Sequence, residues 1–431
     1  MKIQIVNILL FSSLAICFSC KKEVASQANN GFEKRNLKAS YAAATLLPVQ
    51  TVSGSITTNT TWDNSKVWEI SGVVVVKNGA TLTIEPGTYI KSTVNLSALP
   101  NGALIIQKGS KISAVGTAEN PIVFTSRYLL GDASRAPSPG DFGGIALLGN
   151  GYVNTGTKTL PGLPMGGFDF GGNNAAENSG SIRYVRIEYS GYILSTDNAL
   201  NGLTCAGIGS GTTLDHIEIS YSKADSFAFF GGSVNGSYLI SKGADDDNFD
   251  FNNGYNGFIE YAVAVADKNS THSQSGGSSD SHGIESDNNS PAEDATYSLV
   301  PKTHPMFYNL TIVGTSSNNS GYKFAIRNRR GAEIELYDSI ITGYPSGLVF
   351  NDGTGVFYTT GISVLERNDF HGFTAAVTPA GTYPGNTQST ASAAPQFSMD
   401  QPFFNDGALD FSGATNGAFN AGNWTTGWST L

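Results

Sequence analysis

From Val67 onward, short apolar runs alternate with turn residues and no helical period develops. Val73-Val74-Val75-Val76 is followed by Asn78-Gly79, then by Leu82-Thr83-Ile84, Pro86-Gly87 and Tyr89-Ile90. Leu104-Ile105-Ile106, Lys108-Gly109, Ile112, Val115-Gly116 and Ile122-Val123-Phe124 continue the pattern. Short β-branched and aromatic runs bounded by Gly, Pro and Asn predict strands. The middle of the chain then repeats itself. Asp225-Ser226-Phe227-Ala228-Phe229 matches Asp247-Asn248-Phe249-Asp250-Phe251 at an offset of 22 residues. Leu310-Thr311-Ile312 with Phe324-Ala325-Ile326, and Ile340-Ile341 with Leu348-Val349-Phe350, resemble the same unit, and Phe324 lies 24 residues before Leu348. A repeat of 22–24 residues without helices predicts a solenoid. The expected fold is therefore all-β, a single right-handed parallel β-helix whose inward residues stack from coil to coil. Sandwich strands would instead run in alternating directions and need hairpin turns.

This pattern divides the chain. Residues 51–431 are the expected β-helix domain. Phe227, Phe229, Phe249 and Phe251 alternate with other residues and should stack in its core. Stretches 153–180, 266–281 and 288–303 lack strand signals and are expected as loop insertions, where function usually sits. The last stretch, with Trp424 and Trp428, is expected to cap the open end, because bare strand edges invite aggregation. Residues 20–50 carry scattered charges among Ser, Asn and Ala and are expected to form a flexible tether. Residues 1–19 are expected to be a signal peptide: Lys2 is followed by an apolar segment, Ile3 to Phe18, too short to span a bilayer. Ser19-Cys20-Lys21-Lys22 resembles a bacterial lipobox, which implies lipidation at Cys20, although Cys17 stands where such motifs usually carry Leu.

Composition narrows the function. The net charge is −10, and a protein that binds nucleic-acid backbone needs a basic face. An acidic chain suits a secreted protein or one that collects divalent cations. With Cys17 in the signal segment and Cys20 expected to carry lipid, only Cys205 remains, so no internal disulfide is expected. Cys205 is expected to act as a small buried hydrophobe.

The densest acidic run is Asp245-Asp246-Asp247-Asn248-Phe249-Asp250. With a 22-residue coil, Asp225 lies one rung below Asp247 on the same face, at a strand spacing of about 4.8 Å. Carboxylates that close repel unless they are protonated or bridged by a cation. A hard cation such as Ca²⁺ suits their oxygens. Glu285 or Asp287 could join from the next coil. Three accounts remain open for this run: solvent-facing turn residues, a structural cation, or a catalytic cation. His216, His272, His282, His304 and His371 show no zinc-ligand spacing, though His272 and His282 share one loop. Arg327, Arg329 and Arg330 form either a solvated turn or, with the acids, a site for an anionic sugar.

Two resemblances add to this reading. Thr61-Trp62-Asp63, the run from Val74 to Ala80, Leu82-Thr83-Ile84-Glu85-Pro86-Gly87-Thr88, Gly140-Asp141-Phe142-Gly143-Gly144, Arg186-Ile187-Glu188-Tyr189-Ser190-Gly191 and Asn423-Trp424-Thr425-Thr426-Gly427-Trp428 resemble Bacteroidota cell-envelope lipoproteins of β-helix type. That resemblance implies an outer-membrane lipoprotein on the periplasmic or cell-surface face, without a settled activity. The acidic run also resembles, over about 30 residues, the pectate lyases of polysaccharide lyase family 9. There the matching positions, Asp246, Asp247 and Asp250 with Asp225 from the preceding coil, would hold a catalytic Ca²⁺. Asn248 replaces the usual Gly. The lyase base is a Lys; Lys268 and Lys302 are available, and neither sits in a matching motif. Two functions follow as expectations. One is a non-catalytic envelope protein that binds polysaccharide or a partner protein, with a Ca²⁺ site. The other is a Ca²⁺-dependent lyase that cleaves acidic glycans by β-elimination.

Overall fold

The computed structural model describes residues 40–93, 101–160, 163, 166–195, 198–272, 274–275, 278–279, 281–315, 319, 321–390 and 416–431. Cys20, the signal segment and the start of the tether lie outside the described residues. The short apolar runs pair with the equivalent runs of neighbouring coils, and the result is one parallel sheet of 26 strands wound as a parallel β-helix. One stack of strands carries the site. Its members are β1 (Ala103–Ile106), β2 (Gly144–Leu148), β3 (Leu203–Ile208), β4 (Phe227–Gly232), β5 (Phe249–Asn252), β6 (Ile284–Asp287), β7 (Phe324–Arg329) and β8 (Ser346–Phe350).

Register follows the repeat. Phe227 pairs with Phe249 and Phe229 with Phe251, a coil of 22 residues. Their rings stack inward at 5.0 Å, tilted by only 7° and 4°. Each fully buried Phe contributes about 1.5–3 kcal/mol of apolar transfer. Coil length is not uniform, however. Phe249 pairs with Ile284 and Ile284 with Ile326, because the two later insertions lengthen those coils. The register between β7 and β8 also differs from the expected one. Ile326, not Phe324, pairs with Leu348, which restores a 22-residue coil. Phe324 points outward and stacks on His282 at 5.5 Å, so its apolar character misleads.

The flanking strands bend at one residue per coil. Tyr184, His216, Tyr238 and Tyr261 sit at the bend with φ between 49° and 58°. That left-handed conformation costs a non-glycine residue roughly 1–2 kcal/mol. Ring stacking offsets it: the centroids lie 4.4, 4.4 and 5.1 Å apart up the column. The C-terminal segment uses the same column. Trp424 and Trp428 pack edge-on against these rings, and Phe419 packs beside Val263, Val265 and Val313. Residues 416–431 therefore strap the side of the middle coils and do not cover the open end. The physical reason is that the column offers aromatic surface that the indoles bury.

The ordered body also begins before residue 51. Ala44 is buried beside Val67 and Leu130, and the Tyr41 hydroxyl donates to Glu188. Cys205 is buried on β3, and burial pushes its thiol up. An additional hairpin, Tyr192–Ser195 with Asn198–Leu200, was not legible from strand signals.

Candidate functional site

Alternation along a strand sends every second side chain out of the helix. On β4 to β7 the inward residues are Phe227, Phe249, Ile284 and Ile326. The residues after them face outward, so Ala228, Asp250, Glu285 and Arg327 form one outer row. Two residues further along each strand, Phe230, Asn252, Asp287 and Arg329 form a second row. Just before the strands, Asp225, Asp246, Asp247 and His282 complete the surface. The fold thus gathers onto one face charged residues that lie about 100 positions apart in the sequence.

Two overlapping ligand groups result. Asp225, Asp246 and Asp247 offer carboxylate oxygens that all lie within 4.8 Å of one another. Asp247, His282 and Glu285 form a second group within the same limit. Asp250 joins neither group; it faces out one position along, where the Asn252 amide donates to both its oxygens at 3.1 and 3.3 Å. Asp245, first of the acidic run, turns away. Lys223 holds it at 2.7 Å, Ser270 and Thr271 donate to it, and its pKa falls despite burial. The acidic run therefore splits: Asp245 becomes a loop anchor, while Asp246 and Asp247 stand on the face.

Electrostatics mark the remaining acids as unbalanced. Burial, reinforced by Asp246, pushes Asp225 and Asp247 well above the ordinary carboxylate range. Burial and Asp287 push Glu285 well up and Asp250 up to about 7. Arginines pair with the upper part of the face. Arg329 bonds Asp287 and Glu285 at 2.6 Å each, and Arg330 bonds Asp287 at 2.8 Å. Burial opposes the charge on Arg329, but the paired acids outweigh it and hold the guanidinium protonated. Bound to Asp225, Asp246 and Asp247, a divalent cation would relieve the repulsion that proton uptake otherwise relieves.

The expected bases fall elsewhere. Lys268 is exposed on the turn after the flanking strand Phe258–Val265, and its side chain makes no bond to the acids. Lys302 donates to the Tyr297 carbonyl within loop 288–303. His272 and His282 bond different partners. His272 bridges Ser281 and Asn319 at 2.9 and 2.7 Å and pins its loop, whereas His282 Nδ1 bonds Asp247 at 2.9 Å. His282 was not singled out from sequence as a member of the site. The signal was available, since it precedes Ile284 by two residues as Asp247 precedes Phe249, but the inserted loop hides that equivalence.

Loops wall the face on both sides. Residues 267–272 and Ser281 stand at the strand starts, where Ser281 and Thr271 bond Asp245. Loop 288–303 stands at the strand ends, where Asn288 accepts from Asn154 and Glu293 pairs with Lys158 at 2.5 Å.

Comparison with known proteins agrees with this architecture. The model of the pectate-lyase-like β-helix domain family matches residues 54–429. No curated protein and no solved structure matches. The match covers nearly all of the described body, from the first coils to the strap. The chain therefore belongs to the pectate-lyase-like β-helix domain family.

Proposed function

We propose that this protein binds an acidic polysaccharide at the cell envelope, through a Ca²⁺ ion held by Asp225, Asp246 and Asp247. The observation that carries this reading is the single outer face on which three convergent carboxylates stand beside Arg327, Arg329 and Arg330. A cation on the acids would take one carboxylate of the glycan, and the arginines would orient the next by charge-assisted hydrogen bonds. The family supports a carbohydrate-related role. Membrane attachment through lipid on Cys20, facing the periplasm or the cell surface, rests on the lipobox-like Ser19-Cys20 and the apolar segment before it.

Binding without cleavage is favoured by the state of the basic groups. A lyase needs a side chain that accepts the proton from the sugar ring. Here Lys223 and Arg329 are engaged by acids, and Lys268 stands apart. The second reading, β-elimination of an acidic glycan, has Arg327 in its favour. That residue lies next to Glu285 on the outer row, 3.6 Å from its carboxylate, and would have to act as the base.

Calorimetric titration of Ca²⁺ tests the binding reading. The wild type should bind, and Asp247→Ala should lose binding. If the wild type takes up no Ca²⁺, the cation-bridged reading is wrong. Incubating the Ca²⁺-loaded protein with polygalacturonate and following ultraviolet absorbance of an unsaturated product separates the two readings. A rising signal replaces binding with catalysis.

A further inference from the structure

The outer face of the site stack changes character abruptly between β4 and β5. Below that line it is apolar and covered. Ile105, Ala146, Leu148 and Ala206 are buried there, under Val153, Leu160, Phe168 and Phe170 of the insertion that follows β2. Phe230, the last outward residue of this covered region, stacks on Phe170 at 6.5 Å. One rung higher the same two rows read Asp250 and Asn252, and the charged face begins. The flap is also tied to the side wall. Asn154 donates to the Asn288 carbonyl at 2.8 Å, and Lys158 bonds both Glu293 and Asn253, the latter at 3.1 Å.

The charged face is thus closed on three sides. Loops stand at both ends of the strands, so a polymer cannot run across them. It must run along the helix axis, where successive rungs rise about 4.8 Å, comparable with the length of one pyranose unit. Travelling down that axis, it meets the flap at Phe170 and Phe230.

We infer that the site receives the terminal part of an acidic glycan chain, with the flap that carries Val153, Leu160, Phe168 and Phe170 as a stop that excludes internal segments. This rests on the proposed polysaccharide reading. Phe168 and Phe170 are positioning residues here: they hold the stop against the sheet. Asp225, Asp246 and Asp247 lie just before β4 and β5, on the lowest rungs of the charged face, so the cation would sit near the last sugar of the chain. A terminal sugar would then be recognised by its free end as well as by its charge.

Stoichiometry distinguishes a blind site from an open groove. The full-length protein, loaded with Ca²⁺, is titrated with linear galacturonate oligomers of increasing length and with polygalacturonate of defined mean length. A blind site binds one protein per glycan chain whatever the length, and affinity per chain stays constant once the site is filled. An open groove binds more proteins on longer chains, in proportion to length. Several proteins per long chain would overturn the stop while leaving the polysaccharide reading intact. Failure of every oligomer to bind would overturn that reading, and the stop with it. Blocking one chain end chemically gives an independent readout: it should abolish binding for one of the two ends and leave the other unaffected. Undiminished binding with either end blocked would again sink the idea.

Discussion

At the scale of single residues, the site is governed by charge held out of water. Asp247 and Asp250 are buried, Asp225 and Glu285 are half-buried beside them, and each is pushed up from the ordinary carboxylate range. A carboxyl group with a raised pKa binds more protons folded than unfolded. Stability therefore falls as pH rises, across the window between the ordinary carboxylate range and the raised values, with Asp250 ending its part near about 7. The metal-free protein should melt at progressively lower temperature as pH is raised through that window. Ca²⁺ should flatten the dependence, because the cation replaces the protons. Melting curves recorded with chelator and with Ca²⁺ test this, and a chelated protein that gains stability up to neutral pH would contradict it. The split of the acidic run was not legible in sequence. Asp245 and Asp246 are adjacent and chemically identical, yet Lys223 and the loop donors Ser270 and Thr271 make the first a loop anchor, while the second converges with Asp225 and Asp247.

At the scale of elements, the coil is the unit. Each coil is too short to bury its own apolar face, and stacking with its neighbours supplies the burial. The Phe229–Phe251 pair shows the consequence: both rings are fully buried, and Tyr255 and Phe307 pack onto the same cluster. Phe251→Ala should therefore cost about 3–5 kcal/mol, read from denaturant unfolding. A loss below about 1 kcal/mol would mean that the coil collapses around the gap. Phe251 was legible as core because period-two alternation and the 22-residue offset agreed on it. Phe324 was not. It carries the same apolar character, but it precedes the inward Ile326 by two residues, as His282 precedes Ile284, and it packs outside on His282.

At the scale of the whole molecule, both ends of the described chain meet on one buried ion pair. Arg186 and Glu188 are buried side by side, with Arg186 Nε 3.0 Å from the carboxylate. Arg186 also donates to the Trp428 carbonyl and to the Tyr41 hydroxyl, which itself bonds Glu188. The early segment and the C-terminal strap are thus fastened to the same coil. Removing one member of a buried pair leaves the other charge without compensation, at a cost of about 3–5 kcal/mol. Arg186→Ala should lose that much in equilibrium unfolding and should free the strap to limited proteolysis near Trp424. A stable, protease-resistant variant would show that the strap is held by its indoles alone.

The sequence by itself determined the solenoid, its core phenylalanines and the acid patch, because each depends on a period that one strand and its next repeat already express. It also placed Asp225 under Asp247, since an uninterrupted coil makes sequence offset equal to spatial register. What only the tertiary structure decided lies beyond the insertions. Loops of arbitrary length erase the offset, so the sequence left Glu285 or Asp287 and the arginines only as options, and hydrogen-bonded register is what brings His282, Glu285 and Arg329 to the acids. The side position of the strap and the flap that ends the charged face were settled in the same way, by which exposed apolar surface lay within reach of which loop.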